Sequence, residues 1–156
     1  KVIDVGEYDG KKIAIIENPN SGEYHWISTN GIYLLGINVG HDSGYNMFFN
    51  PPAKLGDSKM EIGDSFNNSF YSYSDIDYSE KIGNWKDNLE YLRLETVTVP
   101  AGTFKDCLAT REYAEFNIGD YRISGYSYHW IAKGVGEVKF EDSEGNVYKL
   151  KSYSVK

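Results

Sequence analysis

Aromatic side chains at alternate positions are the strongest candidates for binding chemistry in this sequence. Tyr126, Tyr128 and Trp130 occupy every second position of one segment, so in a β-strand all three would point to the same face. Tyr24 and Trp26 show the same spacing near the start of the chain. Rings with a polar tip suit surfaces that are half apolar and half wet. Such a stripe is typical of packing within a sheet. The alternative is a groove for an apolar or sugar ligand, which makes these five residues our candidate ligand-binding residues.

Acidic side chains offer a weaker case for catalysis. An acid and a base for glycoside hydrolysis could come from Glu61, Asp64, Glu95 and Glu112. Any acidic chain contains such pairs, so a carboxylate-dependent hydrolase ranks third among our interpretations. The tripeptide Gly-Asp-Ser at residues 56–58 and 63–65 matches an esterase block, but the late Asp-x-x-His of those enzymes is absent. We interpret both copies as turns.

Metal ligands do not show the spacing that a metal site requires. The histidines are His25, His41 and His129, and none has a second histidine or a cysteine pair nearby. Oxygen ligands for calcium could come from Asp75, Asp77, Glu80 and Asp87, but the glycine typical of a calcium loop is missing. We predict neither a metal site nor a cofactor, and interpret the alternating acids Asp75 and Asp77 as a solvated face.

Composition places the chain among ordinary globular proteins. It has 156 residues, 40% hydrophobic and 25% charged, which predicts one domain over residues 1–156. Its 16 basic and 23 acidic residues give a net charge of −7, which disfavours nucleic acids and anionic membranes as partners. No apolar run approaches the ~20 residues of a transmembrane helix. Cys107 is the only cysteine, so we expect no internal disulfide and a buried thiol.

Short apolar segments separated by turn residues predict strands joined as hairpins. Asn30-Gly31 supplies the turn of a hairpin between residues 23–28 and 32–39. The clearest pair joins residues 90–99 to 104–116 across a Pro-Ala-Gly turn. Two further hairpins are expected near the C-terminus, over residues 122–132 with 137–142 and over 137–142 with 146–153.

The middle of the chain is less regular. Residues 45–50 predict a strand that stops at Pro51-Pro52, because proline cannot donate to a β-ladder. Residues 66–79 predict one long strand. Residues 82–88 are polar and contain Gly83-Asn84, so we interpret them as a loop. Together the segments predict an all-β protein of about ten antiparallel strands, curled into a half-barrel or barrel around aromatic side chains, with a two-sheet β-sandwich as the alternative.

One tetrapeptide occurs twice. Tyr-His-Trp-Ile stands at residues 24–27 and again at 128–131, each time followed by a small residue, a glycine-containing turn and an apolar strand. We predict two equivalent hairpins that superpose and bury Trp26 and Trp130 alike. Independent use of the same hairpin chemistry is the alternative.

Two blocks of sequence resemble a recurring bacterial pattern. Residues 95–108 combine Val-Pro-Ala-Gly-Thr-Phe with Cys-Leu, and residues 128–139 combine an aromatic-Trp strand with a Gly-Val-Gly turn. Residues 51–55 and 62–66 match more loosely, with Phe66 where the pattern favours Trp. In these blocks the chain resembles bacterial extracytoplasmic domains of unknown function, described as lipoprotein-like or TapB-like.

The resemblance implies an all-β half-barrel that is exported (secreted, cell-surface or periplasmic) and often lipid-anchored. It implies no established catalysis and assigns no functional residues. Our leading interpretation is therefore a non-enzymatic extracytoplasmic module whose aromatic concave face binds a small apolar ligand, a lipid or a partner protein. A structural or surface-interaction domain without a ligand is the alternative. The sequence predicts no oligomeric state.

Overall fold

The computed structural model describes residues 2–8, 10–18, 21–28, 31–39, 45–57 and 59–153. The regular elements in these ranges are strands, which follow one another in the sheet in chain order. Their bounds are β1 Val2–Tyr8, β2 Lys11–Asn18, β3 Ser21–Ser28, β4 Gly31–Val39, β5 Tyr45–Asp57, β6 Ser65–Tyr73, β7 Lys81–Val99, β8 Gly102–Ile118, β9 Tyr121–Ala132, β10 Gly136–Glu141 and β11 Val147–Lys149. The predicted fold class, an antiparallel all-β half-barrel built from hairpins, is confirmed.

Contacts within the chain group it into two compact units. Unit 1 comprises Lys1–Lys59, Asn68–Lys86 and Phe116–Arg122, and unit 2 comprises Met60–Asn67, Asp87–Glu115 and Ile123–Lys156. Strands β6 to β9 each contribute residues to both units. The expectation of one domain over residues 1–156 stays a prediction.

Unit 1 contains an aromatic core. Phe49 is 2% exposed, and its ring centre lies 4.9 Å from that of Phe70. The Trp85 ring stacks on Phe70 at 5.8 Å and packs against Phe116 at 4.7 Å. Such pairs contribute about 0.5–1.5 kcal/mol each beyond the area they bury. Met47 and Ala53 complete the buried cluster.

Unit 2 has a second core, made mostly of small and β-branched side chains. Its buried members are Val97, Val99, Cys107, Ala109, Trp130, Ala132 and Val138. Cys107 is fully buried, as the sequence predicts, and that burial raises the pKa of its thiol. Val97 and Val99 alternate with exposed threonines along β7, which is the pattern of a strand with one buried face.

The predicted hairpins are present. β3 pairs with β4, where Ile27 lies opposite Ile32. β9 pairs with β10, where Ala132 lies opposite Gly136. β7 and β8 are neighbours on either side of the Pro100-Ala101 turn. In each case local turn chemistry at the ends of apolar segments was sufficient to predict the pairing.

The prediction that the strand of residues 45–50 stops at Pro51-Pro52 is wrong, because β5 continues to Asp57. The β4–β5 register shifts between Leu34 and Gly36, at the level of the prolines, which cannot donate to a ladder. Beyond them the Asn68 side chain takes the place of a backbone partner. Its Oδ1 accepts from the Lys54 N–H at 3.0 Å, and its Nδ2 donates to the Lys54 carbonyl at 2.9 Å.

The predicted strand over residues 66–79 is too long, since β6 ends at Tyr73. Residues 74–80 form a turn in which the Ser79 N–H donates to Asp77 Oδ1 at 3.1 Å and the Ser79 hydroxyl donates to Asp75 Oδ2 at 3.2 Å. Tyr78 adopts a positive φ of 58° there. The acids in this segment act as turn-capping groups, which compete with a β-ladder for the backbone. The last strand is also shorter than predicted, ending at Lys149.

The interpretation of residues 82–88 as a loop is wrong, because they lie inside β7, which runs from Lys81 to Val99. A Cβ atom on Gly83 would lie 2.3 Å from the Asn117 carbonyl oxygen. Glycine is therefore needed at this position for a close approach of two backbones, not for a break in the strand.

Gly83→Ala is expected to lower the free energy of unfolding by about 1–3 kcal/mol, because the new methyl group meets backbone that must shift. The matched control is Gly6→Ala in β1, where the nearest atom to the new Cβ would be 3.9 Å away. That change should be neutral or slightly stabilising. Urea denaturation of the two variants checks the pair, and equal midpoints would contradict this account of Gly83.

Candidate functional site

Unit 2 contains a cleft of about 310 Å³, at the lower end of the range for ligand pockets. Its walls come from four strands. They include Leu92, Arg93, Ala109, Tyr128, Trp130 and Glu141. A cleft of this size accommodates a small molecule or one unit of a longer ligand.

Strand alternation explains the position of the aromatic wall. Tyr128 and Trp130 are two residues apart on β9, so both rings lie on one face of the strand, with centres 6.4 Å apart. Trp130 is only 8% exposed and belongs to the core of unit 2. Ala109 of β8 is also buried in that core and lines the same cleft. Its short side chain fills little of the space beside the rings.

A polar network fixes Trp130. Its indole N–H donates to the carboxylate of Glu95, which also accepts from Arg93 Nε at 2.9 Å and Nη2 at 3.3 Å. The Lys139 ammonium lies 3.6 Å from the centre of the Trp130 ring, a cation–π contact. The hydrogen bond from Trp130, and then that from Arg93, hold the pKa of Glu95 below its ordinary value. Glu95 is therefore ionised at neutral pH.

The structure brings together two of the five predicted ligand-binding residues, Tyr128 and Trp130. Tyr126 is 52% exposed, and its ring packs against Tyr113 with centres 4.9 Å apart. Tyr24 and Trp26 lie on β3, but their side chains are outside the described part of the molecule. The predicted equivalence of Trp26 and Trp130 in the repeated tetrapeptide therefore stays a prediction.

Three of the four carboxylates considered for hydrolysis have structural partners. Asp64 accepts from the Glu61 N–H at 3.0 Å in a turn that includes Gly63, with φ of 95°. Glu95 belongs to the Trp130 network, and Glu112 lies beside His129. The carboxylates of Asp64, Glu95 and Glu112 thus each take part in a structural contact, and Glu61 joins the turn through its backbone N–H.

A second polar cluster was not anticipated from the sequence. His129 Nδ1 lies 2.6 Å from Glu137 Oε1, and its Nε2 lies 3.2 Å from the Ser127 hydroxyl and 3.5 Å from Glu112 Oε2. The imidazole also packs on Phe140, with ring centres 4.9 Å apart. Alternation along β9 places Ser127 and His129 on the face opposite Tyr128, and this was the only signal available in the sequence.

The protonation of His129 decides what this cluster can do. Burial alone would lower its pKa, but the contacts with Glu112 and Glu137 outweigh burial and raise the pKa to about 9. At neutral pH both ring nitrogens therefore carry protons. Although Ser127, His129 and Glu137 touch in the order of a catalytic triad, an imidazolium cannot accept the serine proton. The cluster is best described as a charged clamp between β8, β9 and β10.

The described residues offer no grouping of three or more histidine, cysteine, aspartate or glutamate side chains suited to a metal ion. The same part of the chain contains no helix of the length and apolar character needed to cross a membrane. His41 lies outside the described residues, as does the side chain of His25.

Two solved structures resemble this chain. One is a putative lipoprotein from Parabacteroides distasonis, 14% identical, with a TM-score of 0.44 over 94% of this chain and 80% of the other. The other is a putative exported protein with a YmcC-like fold from Bacteroides fragilis, 16% identical, with a TM-score of 0.45 over 97% of this chain and 84% of the other. No curated protein matches the sequence.

The family described as DUF3108-like, whose function is unknown, matches residues 58–155. That range is more than half of the chain, and it includes all of unit 2 except the last residue. The chain therefore belongs to the DUF3108-like family.

Proposed function

We propose that this chain is a non-enzymatic, extracytoplasmic binding module that holds a small ligand in the cleft of unit 2. The observation that carries the proposal is the cleft itself. About 310 Å³ of space adjoins two aromatic rings, Tyr128 and Trp130, and also the charged groups of Arg93 and Glu141. A few polar groups converging on an aromatic wall is the usual composition of a ligand site.

The state of the titratable groups supports binding over catalysis. A general base needs a pKa near the working pH and a free lone pair, whereas His129 is held protonated between two carboxylates. A general acid of the glycosidase type needs a raised carboxyl pKa, whereas that of Glu95 is lowered. The two groups with the most distinctive surroundings in unit 2 are therefore poorly suited to proton transfer.

The state of the cysteine is compatible with an extracytoplasmic location. Cys107 is fully buried and its thiol pKa is raised by that burial. A thiol that is neither exposed nor ionised resists oxidation and disulfide exchange outside the cytoplasm. The resemblance in residues 95–108 and 128–139 points to the same compartment, and lipid anchoring stays a prediction.

Titration of the ¹⁵N-labelled protein with a mixed set of small apolar, aromatic and hydroxylated fragments tests the proposal. We expect saturable NMR shifts at Leu92, Ala109 and the Trp130 indole N–H. Tyr128→Ala should weaken those interactions about tenfold, because one wall of the cleft is lost. Tyr121→Ala is the control, since Tyr121 is 78% exposed and does not line the cleft.

Shifts that saturate elsewhere, or that respond equally to Tyr128→Ala and Tyr121→Ala, would refute a ligand site in this cleft. A complete absence of saturable shifts would favour the alternative of a structural or surface-interaction domain.

A further inference from the structure

The charges around the cleft are balanced rather than of one sign. Arg93 is paired with Glu95, and Lys139 lies over the Trp130 ring. Glu141 is in the wall of the cleft, and among the described residues no cation is paired with it. Two cations and two carboxylates nearly cancel, so the net electrostatic field in the cleft does not favour an anionic or a cationic ligand.

This balance argues against a hydrocarbon ligand. Arg93 and Glu141 are both reached by solvent. An apolar molecule in the cleft would cover them and remove water without replacing its hydrogen bonds, and desolvating a charged group without a new partner is costly. A ligand with many hydroxyl groups avoids that cost. Each hydroxyl can donate to a carboxylate and accept from a guanidinium N–H, and Arg93 keeps further N–H donors beyond the two that bind Glu95.

The aromatic face continues out of the cleft. Tyr126 lies two residues before Tyr128 on β9, so its ring is on the same face but is about half exposed. Arg111 is positioned over the Tyr126 ring at 5.5 Å and is paired with Glu90 at 2.5 Å. The three rings of Tyr126, Tyr128 and Trp130 form a stripe whose exposed end is at Tyr126. The Arg111–Glu90 ion pair lies beside that end, so the charges there are balanced as well.

We infer that the ligand is a neutral saccharide, with one sugar unit in the cleft and further units along the exposed end of this stripe. The inference rests on the proposed function and names the ligand class of the same site. Ring faces of sugars are apolar and suit aromatic side chains, while their edges carry the hydroxyl groups that paired arginine and glutamate side chains can bind.

Titration with maltotriose, cellotriose, xylotriose and N-acetylglucosamine trimer tests this, with 1-octanol as the apolar probe and the Trp130 indole signal as the readout. At least one trisaccharide should saturate the cleft, and octanol should not. Tyr126→Ala should weaken that trisaccharide about tenfold while leaving the matching monosaccharide unchanged. Tyr121→Ala, which removes another exposed tyrosine of β9, should change neither.

Glu141→Leu provides the opposite test, because it should weaken the trisaccharide and allow octanol to bind. Failure of all four trisaccharides together with saturation by octanol would overturn the saccharide inference and leave the binding proposal intact. If the cleft binds neither these sugars, octanol nor the fragments, both fail. Equal effects of Tyr126→Ala on the trisaccharide and the monosaccharide would overturn the placement of further units along the stripe.

Discussion

Raising the pH from about 6 to about 9.5 is expected to lower the free energy of unfolding by up to roughly 3 kcal/mol through His129 alone. Its pKa is about 9 in the folded protein against an ordinary value of 6.5. The folded state therefore holds the proton more tightly than the unfolded state. The stabilisation is complete below about pH 6.5 and is lost as the pH rises through about 9. Urea denaturation at several pH values measures the change.

His129→Gln is the variant that isolates this effect. An amide can replace the hydrogen bonds to Ser127 and Glu137 but carries no charge, so the variant should be less stable than the wild type at pH 6 and about equal to it at pH 9.5. Glu137→Gln removes one of the two carboxylates and should reduce the pH dependence in part. If the free energy of unfolding of His129→Gln changed with pH as steeply as that of the wild type, the pH dependence would not come from His129.

The partners of His129 show which kind of contact cannot be predicted from the sequence. Alternation on β9 was enough to separate the face of His129 from that of Tyr128 and Trp130. Glu112 and Glu137, however, come from the two neighbouring strands, and their positions depend on register. A shift of register between Glu137 and Lys139 in the β9–β10 pairing moves even the nearest partner by one residue. No local pattern in the sequence reports such a shift.

The two wrongly predicted strand boundaries have a related cause. Pro51 and Gly83 are residue types that usually interrupt strands, so the sequence predicts a boundary at each. In the structure Asn68 compensates for the prolines through its side chain, while Asn117 comes close enough to require a glycine. Both compensating residues are distant in sequence. Hairpins with a local turn signal, such as that at Pro100, were predicted correctly because their pairing depends on adjacent residues.

The candidate site also contains residues that the sequence predicts and residues that it does not. Tyr128 and Trp130 could be named from their spacing, because both lie on one strand. Arg93, Ala109 and Glu141 could not, because they come from three other strands and meet only after the sheet has formed. The ligand class inferred for the cleft depends chiefly on those later residues, since an aromatic stripe alone is equally suited to a lipid, a sugar or the protein core.

Phe49→Ala should lower the free energy of unfolding by about 3–5 kcal/mol. Phe49 is 2% exposed and lies 4.9 Å from Phe70 and 6.3 Å from Trp85, measured between ring centres. Its removal leaves a cavity in the core of unit 1 that rigid aromatic neighbours cannot easily fill. Tyr71→Ala on β6 is the control, because Tyr71 is 48% exposed and its ring contacts the Lys81 ammonium. That change should cost about 1 kcal/mol or less.

The same variant tests whether residues 1–156 form one domain, as we propose. Strands β6 to β9 each run through both units, so loss of structure at one end of a strand should propagate along its backbone. We therefore expect calorimetry to show one transition in the wild type and one transition, shifted to lower temperature, in Phe49→Ala. Two transitions, of which Phe49→Ala moves only the first, would show instead that the units unfold independently. In that case unit 2, with its cleft, would keep its thermal stability when the core of unit 1 is destroyed, and the one-domain proposal would be wrong.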